Sequence, residues 1–288
     1  MNKPMTVPQI RGSKRRNGDE ALVMVTAYDA PGARAASEAG VDMILVGDSV
    51  GMVMLGHENT LEVTVDDMCH HIRAVARAKP DALIVGDMPW MSFHVNPAET
   101  VHNAARLIRA GAHSLKIEGG AKRIPMLRAV IEAEMPVISH VGLTPQSFNV
   151  MGGFKIQGRE AEAAHMLVDE AKQLQEAGVF AVLIEGVPDV VGTMVTEALD
   201  IPTIGIGAGP DTDGQVLVYH DVIGLEQRFK PRFVRRYGNA WADQVDSLAR
   251  YASDVRTGDF PGPDETYKAK DSLTEALGLY GSQPDAGS

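Results

Sequence analysis

The chain has 288 residues, enough for one α/β barrel or two smaller domains. Its formal net charge of −11 argues against a nucleic-acid partner, and no uncharged apolar run is long enough to predict a membrane span. The single cysteine, Cys69, excludes a disulfide framework and a cysteine-rich zinc site, and it points to a reducing cytoplasm.

The first residues carry a basic cluster, Lys14-Arg15-Arg16, with no apolar stretch after it. Residues 1–20 therefore read as an N-terminal extension, not a secretory signal. Apolar runs then recur at Leu22–Thr26, Met43–Gly47, Ala82–Gly86, Ser114–Ile117, Val137–His140, Phe180–Ile184, Thr203–Ile206 and Val216–His220. Runs of this kind predict strands buried on both faces, as in parallel sheets. Helical patterns lie between most of them. Thr64-Val65-Asp66-Asp67 opens one helix with an N-cap and an acidic first turn, Pro97-Ala98-Glu99 opens another, and Ala161–Glu176 forms a third. A short cassette recurs in Ala39-Gly40-Val41, Ala110-Gly111-Ala112 and Ala177-Gly178-Val179, each a helix end and tight turn before a strand and an acid.

Eight strands alternating with helices predict a (β/α)8 TIM barrel over residues 21–257. A doubly wound sheet would carry a Gly-rich turn after its first strand, and none follows Leu22–Thr26. Trp241–Val255 reads as a peripheral C-terminal helix. Residues 258–288, rich in Gly, Pro, Asp and Ser, read as a loose tail.

Acidic residues close several strand runs: Asp48, Asp87, Glu118 and Glu185. Barrel enzymes build their sites at the carboxyl ends of strands. Alone, each acid is explained by a helix cap or a salt bridge. Three of them, Asp48, Asp87 and Glu118, at equivalent strand ends favour a hard cation such as Mg²⁺ or Mn²⁺, held by oxygen ligands. Lys116 shares a strand face with Glu118, so it is placed to hold a substrate carboxylate or balance an enolate, a reading compatible with its pairing to Glu118 in the core. His140 ends the fifth run and reads equally as a substrate donor, a ligand or a packed histidine. His70 and His71 fall mid-helix and read as surface or packing residues. Gly205-Ile206-Gly207-Ala208-Gly209 suggests either a phosphate loop or close backbone packing. Ser147 lacks a nucleophile-elbow setting, and Cys69 reads as a packed helix residue.

The segments Val25-Thr26-Ala27-Tyr28-Asp29, Val46-Gly47-Asp48-Ser49-Val50-Gly51-Met52, Gly56-His57-Glu58-Asn59-Thr60 and Lys116-Ile117-Glu118-Gly119-Gly120 resemble the ketopantoate hydroxymethyltransferase family. So do His140-Val141-Gly142-Leu143-Thr144-Pro145-Gln146-Ser147, Gly152-Gly153-Phe154-Lys155-Ile156-Gln157-Gly158-Arg159 and Ile204-Gly205-Ile206-Gly207-Ala208-Gly209. The resemblance runs from about residue 5 to about residue 265 and does not cover the tail beyond.

It implies a (β/α)8 barrel that moves a hydroxymethyl group from 5,10-methylenetetrahydrofolate to 3-methyl-2-oxobutanoate, the first committed step of pantothenate synthesis. It implies one Mg²⁺ per subunit, a cytoplasmic location and a homodecamer of two pentamer rings. It also implies metal carboxylates at Asp48, Asp87 and Glu118, keto-acid contacts at Ser49, Asp87 and Lys116 with His140 nearby, and a proton acceptor at Glu185. One departure is Gly186, where many relatives carry a larger residue; its lack of a side chain is expected to loosen that loop. The alternative enzyme reading is a Mg²⁺-dependent carbon–carbon lyase or phosphonomutase of the phosphoenolpyruvate mutase and isocitrate lyase type, many of which carry a reactive loop cysteine. A catalytically dead assembly barrel would have no need of the intact acid set.

Overall fold

Side-chain alternation along eight short strands explains both the barrel and its functional rim. A computed structural model describes residues 4–15, 19–153, 155–228 and 230–278. The strands are β1 (Leu22–Thr26), β2 (Met43–Val46), β3 (Leu83–Asp87), β4 (Ser114–Glu118), β5 (Val137–Gly142), β6 (Ala181–Glu185), β7 (Thr203–Ile206) and β8 (Gly214–Leu217). They pair in chain order, all parallel, and β8 closes onto β1, giving the (β/α)8 TIM barrel.

Strand side chains alternate between two apolar layers. Met43 and Leu45 of β2, Leu83 and Val85 of β3, and Ala181 and Leu183 of β6 point into the barrel. Ile44, Ile84, Leu115, Val182 and Ile184 point outward, against the helices. Both layers are apolar, so each strand reads as a continuous apolar run. The same alternation makes Asp87 and Glu185, the last residues of β3 and β6, the next inward-facing positions after Val85 and Leu183.

Two segments differ from their sequence reading. The eighth strand begins at Gly214 and ends at Leu217, and His220 lies in a short helix, Tyr219–Val222. Gly214 is needed where it stands: a Cβ there would come 2.5 Å from the Leu22 carbonyl oxygen. The Tyr219 N–H donates to Thr26 Oγ1 at 2.9 Å and turns the chain out of the sheet. At the other end, the stretch read as an extension holds a helix, Val7–Gly12, opened by a capping box between Thr6 and Gln9. Its Ile10 is fully buried in the inner core beside Leu22, Met24 and Phe180, which contributes about 1.5–3 kcal/mol. Just after it, Lys14 Nζ pairs with the buried Asp213 carboxylate at 2.9 Å and donates to the Thr196 carbonyl at 2.6 Å. Asp213 also accepts from the N–H groups of Arg15 at 2.8 Å and Thr203 at 2.7 Å.

The chain divides into two compact units, one ending at Gly238 and the other beginning at Asn239. The second unit holds the helix Ala240–Thr257, which buries no residue of its own. Trp241, Val245, Leu248 and Val255 form an apolar stripe on one of its faces, each about half exposed or more. The sequence reading joined this helix to the barrel domain, but its contacts group it with the residues C-terminal to it. The segment read as a loose tail contains a further helix, Asp271–Leu277. Among the described residues no helix is long and apolar enough to cross a membrane.

Candidate active site

A cavity of about 820 Å³ opens at the carboxyl ends of the strands. Asp48, Ser49, Asp87, Lys116, His140 and Glu185 all line it. Glu118 does not. It is 3% exposed and sits behind His140.

Parallel register sets the pairing. Asp87 lies beside Lys116 in the β3–β4 ladder, and the Lys116 Nζ–Asp87 Oδ1 distance is 2.7 Å. The partner of Lys116 is therefore Asp87, not Glu118 of its own strand. Burial alone would lower the Lys116 pKa, but Asp87, Asp48 and Glu118 outweigh it and hold the ammonium above the ordinary lysine range. Burial pushes the Asp87 carboxyl up to about 7; Lys116 opposes the shift and Asp48 adds to it. The Asp48 N–H donates to Asp87 Oδ2 at 3.0 Å.

Glu118 lies beside His140 in the β4–β5 ladder. The His140 ring is buried between two carboxylates, with Nδ1 3.4 Å from Glu118 Oε2 and Nε2 3.3 Å from Glu185 Oε2. Neither contact has the geometry of a formed hydrogen bond, yet both are close enough to act through charge. Burial alone would lower the His140 pKa; the carboxylates reverse this and push it up to about 9, so the ring carries its proton at neutral pH.

Gln146 ties these groups together, and the sequence reading gave it no role. Its N–H donates to Glu118 Oε1 at 2.8 Å. Its side-chain Nε2 donates to Asp48 Oδ2 and to the Met88 carbonyl, both at 3.0 Å. Its only sequence signal is the Thr144-Pro145-Gln146 end of the quoted His140 segment. Tyr28, also unassigned, shares a 2.9 Å hydrogen bond with Ser49 Oγ, and burial drives its phenol well above the ordinary tyrosine range.

Glycine sets the position of Glu185. Gly142 has φ +91, and a Cβ there would stand 2.3 Å from the Glu185 carbonyl oxygen. The next N–H, of Leu143, donates to that oxygen at 2.8 Å. Gly142→Ala is expected to push the ends of β5 and β6 apart and lower kcat by at least about 10²-fold, since a misplacement of about 1 Å costs that much. Steady-state kinetics check it; a kcat within twofold of wild type would remove Gly142 from this role. Gly186 is not a loose point. Its N–H donates to the Ile206 carbonyl at 2.9 Å, and its carbonyl accepts from Gln157 N–H at 2.9 Å.

The Gly-rich loop after β7 serves close packing. A Cβ on Gly209 would lie 2.7 Å from that of Asp189, and one on Gly192 would lie 2.0 Å from the Ala208 carbonyl oxygen. Asp189 in the first turn of the helix Asp189–Glu197 adds a carboxylate where a phosphate loop would present bare N–H groups. Cys69 is buried in the helix Val65–Arg77, and burial raises its thiol pKa. It is no reactive loop cysteine. His71 is anchored through Nδ1, 2.7 Å from the Tyr28 carbonyl.

The donor set suits a hard cation of limited protein coordination. Two buried carboxylates, Asp48 and Asp87, face one ammonium, so a negative charge is left over. Gln146 Oε1 and Glu118 Oε2 are buried acceptors with no hydrogen bond among the described residues. No three His, Cys, Asp or Glu side chains converge to share an ion among those residues. Asp48 and Asp87 are two carboxylates, the number that Mg²⁺ takes from a protein when water and substrate complete its shell.

Comparisons with known proteins bear on these observations. The chain is 52% identical to 3-methyl-2-oxobutanoate hydroxymethyltransferase 2 of Bradyrhizobium diazoefficiens, covering 95% of this chain and 92% of that one. It is 48% identical to 3-methyl-2-oxobutanoate hydroxymethyltransferase of Geobacillus kaustophilus, covering 93% and 96% respectively. Among solved structures, phosphonopyruvate hydrolase in complex with oxalate and Mg²⁺ superposes with a TM-score of 0.58 at 17% identity, covering 96% of each chain. A 2,3-dimethylmalate lyase of the phosphoenolpyruvate mutase/isocitrate lyase superfamily gives 0.57 at 16%, also covering 96% of each. At these identities the structural likeness speaks for the barrel fold alone. The family model described as ketopantoate hydroxymethyltransferase matches residues 4–263, and the chain belongs to that family.

Proposed function

We propose that this chain transfers a hydroxymethyl group from 5,10-methylenetetrahydrofolate to 3-methyl-2-oxobutanoate, giving 2-dehydropantoate with one Mg²⁺ per subunit. The observation that carries the residue roles is the division of the cavity rim. Asp48 follows β2, Asp87 ends β3, Lys116 lies within β4 beside Asp87, and Glu185 ends β6, opposite β2 in the closed ring. Asp48 and Asp87 would hold the cation. When bound, Mg²⁺ supplies Lewis-acid stabilisation of the charge that builds on the keto oxygen as C3 loses its proton. Lys116 neutralises Asp87 and offers its ammonium to the keto acid, and the Ser49 hydroxyl offers a further hydrogen bond. Glu185, off the cation, accepts the C3 proton. Protonated His140 holds Glu185 on one side and Glu118 on the other. Glu118 acts through Gln146 and His140, from behind the cavity wall. Water takes the methylene from N5 and N10 at the oxidation level of formaldehyde; its two protons go to those nitrogens, and tetrahydrofolate leaves. The C3 electron pair then forms the new carbon–carbon bond to that carbon, whose oxygen takes the proton held by Glu185.

The test is formation of 2-dehydropantoate by the purified protein, which should require both the folate and the metal and stop on chelation. Product without added folate would reject the donor. For the metal, Asp87→Asn is expected to weaken Mg²⁺ binding by at least about tenfold, because an amide is a poorer ligand than a carboxylate. Calorimetric titration checks it, and unchanged affinity would release Asp87 from the cation.

The reading extends to a cytoplasmic enzyme assembled as a homodecamer. The unburied apolar stripe of the helix Ala240–Thr257 supports assembly, since such a face is stable when a second surface covers it. Light scattering on a sizing column is expected to give a mass near ten subunits; a sharp monomer peak would reject the ring.

A further inference from the structure

The arc of the cavity away from Asp48 and Asp87 has no task in the chemistry above. It is built by the segments that leave β7 and β8. Phe233 packs its ring so closely on Gly207 that a Cβ there would meet it at 2.8 Å. Ile206, Val218 and Pro231 add apolar side chains beside it.

Asp221, Glu226, Arg228 and Arg232 add charge to this arc, and Glu226 is paired with Arg228. Asp221, in the helix Tyr219–Val222, lines the cavity and is 8% exposed. Its backbone N–H donates to the Val218 carbonyl, but its side chain has no hydrogen-bond partner among the described residues. Burial holds its carboxyl above the ordinary range, Glu226 adds to this and Arg236 opposes it. Arg236 donates through its two terminal nitrogens to the Glu226 carbonyl and Gln227 Oε1, not to Asp221, and its Nε has no hydrogen-bond partner among the described residues. Asp221 is thus a desolvated acceptor that faces an open space and has nothing to accept from. Such a group is costly unless a ligand brings the donor. An aromatic ring and apolar side chains beside a carboxylate that has no hydrogen-bond partner among the described residues suit a flat heterocycle that presents two adjacent N–H donors, which a carboxylate meets with two parallel hydrogen bonds.

We propose that Asp221 receives the 2-amino and N3–H donors of the reduced pterin of the one-carbon donor, with the pterin ring lying against Phe233 and Gly207. This rests on the reading of tetrahydrofolate as the carrier. The cavity size agrees, since about 820 Å³ is the scale of a drug-sized ligand and exceeds the needs of a five-carbon acid. The two ligands then occupy different arcs of one rim. The pterin lies over β7 and β8, and the keto acid lies over β2 to β4.

The test titrates wild type and Asp221→Asn with tetrahydrofolate, in the presence of Mg²⁺ and 3-methyl-2-oxobutanoate. The variant is expected to bind about ten- to a hundredfold more weakly, as losing a charged acceptor implies. Its KM for methylenetetrahydrofolate should rise in proportion, while the keto acid still raises its melting temperature. A tetrahydrofolate analogue lacking the 2-amino group should bind wild type more weakly by a similar factor and lose little further in the variant. That comparison needs only wild type, so it stands even if the variant does not fold. Equal tetrahydrofolate affinity in variant and wild type, or equal affinity of wild type for the two folates, overturns the proposal and leaves the carrier intact. Wild type that binds no tetrahydrofolate overturns the carrier, and the proposal falls with it.

Discussion

Glu185→Gln is expected to slow turnover by about 10²–10⁴-fold, the usual contribution of a positioned general base, while Mg²⁺ and keto-acid binding stay close to wild type. The reason is position. Glu185 is the inward-facing end of β6, and its backbone is fixed by Gly142 and the Leu143 N–H. The amide keeps the shape but cannot take a proton. The step can be isolated: exchange of the C3 proton for deuterium, followed by NMR without folate, should occur in wild type and stop in the variant. Exchange at the wild-type rate would remove Glu185 as the base. His140 could not simply replace it, because a ring pushed up to about 9 already carries its proton at neutral pH.

The largest stability effect is expected far from this rim. Asp213→Ala should destabilise the chain by about 3–5 kcal/mol, the cost of breaking a buried ion pair by removing one partner. Asp213 is 1% exposed. Its Oδ2 takes Lys14 Nζ at 2.9 Å, Thr203 N–H at 2.7 Å and Thr203 Oγ1 at 3.0 Å, and its Oδ1 takes Arg15 N–H at 2.8 Å. Alanine leaves the Arg15 and Thr203 N–H groups without this acceptor, and leaves Lys14 with the Thr196 carbonyl alone among the described residues. It also frees the segment that holds the helix Val7–Gly12 against the inner core. Urea unfolding measures the effect, and a shift below about 1 kcal/mol would show that this carboxylate does not anchor the N-terminal segment.

Most of the barrel was legible in the sequence because a strand buried on both faces has no polar position until it reaches the rim. β2, β3, β4 and β6 each announce themselves by an apolar run that ends in an acid. Reading fails where packing replaces periodicity. Gly214 and Gln215 hide the start of β8, since a glycine reads as a break and gives no sign that it lies against Leu22. The helix Val7–Gly12 is too short for a periodic pattern, and its burial depends on Ile10 meeting residues far along the chain. In the site, the acids, Lys116 and His140 are visible as charges at strand ends. Gln146, Gly142 and Asp221 are not, because a loop amide, a glycine and a carboxylate in a short helix gain meaning only from what stands opposite them. The pairing of Lys116 with Asp87 depends on register between neighbouring strands, which one strand read alone does not contain.

Gln146 has a consequence for how the site behaves as acidity changes. The groups around it have their proton affinities shifted: burial raises the Asp87 carboxyl, and against burial the two carboxylates beside His140 raise its ring. An amide has no proton to gain or lose near neutral pH. The bracket that spans Asp48, Met88 and Glu118 therefore keeps its charge and its donors while its neighbours titrate. A glutamate in its place would add a fifth carboxylate, beside Asp48, Asp87, Glu118 and Glu185, and a histidine would become a competing proton carrier. The neutral strut lets the rim change its charge state without changing its shape.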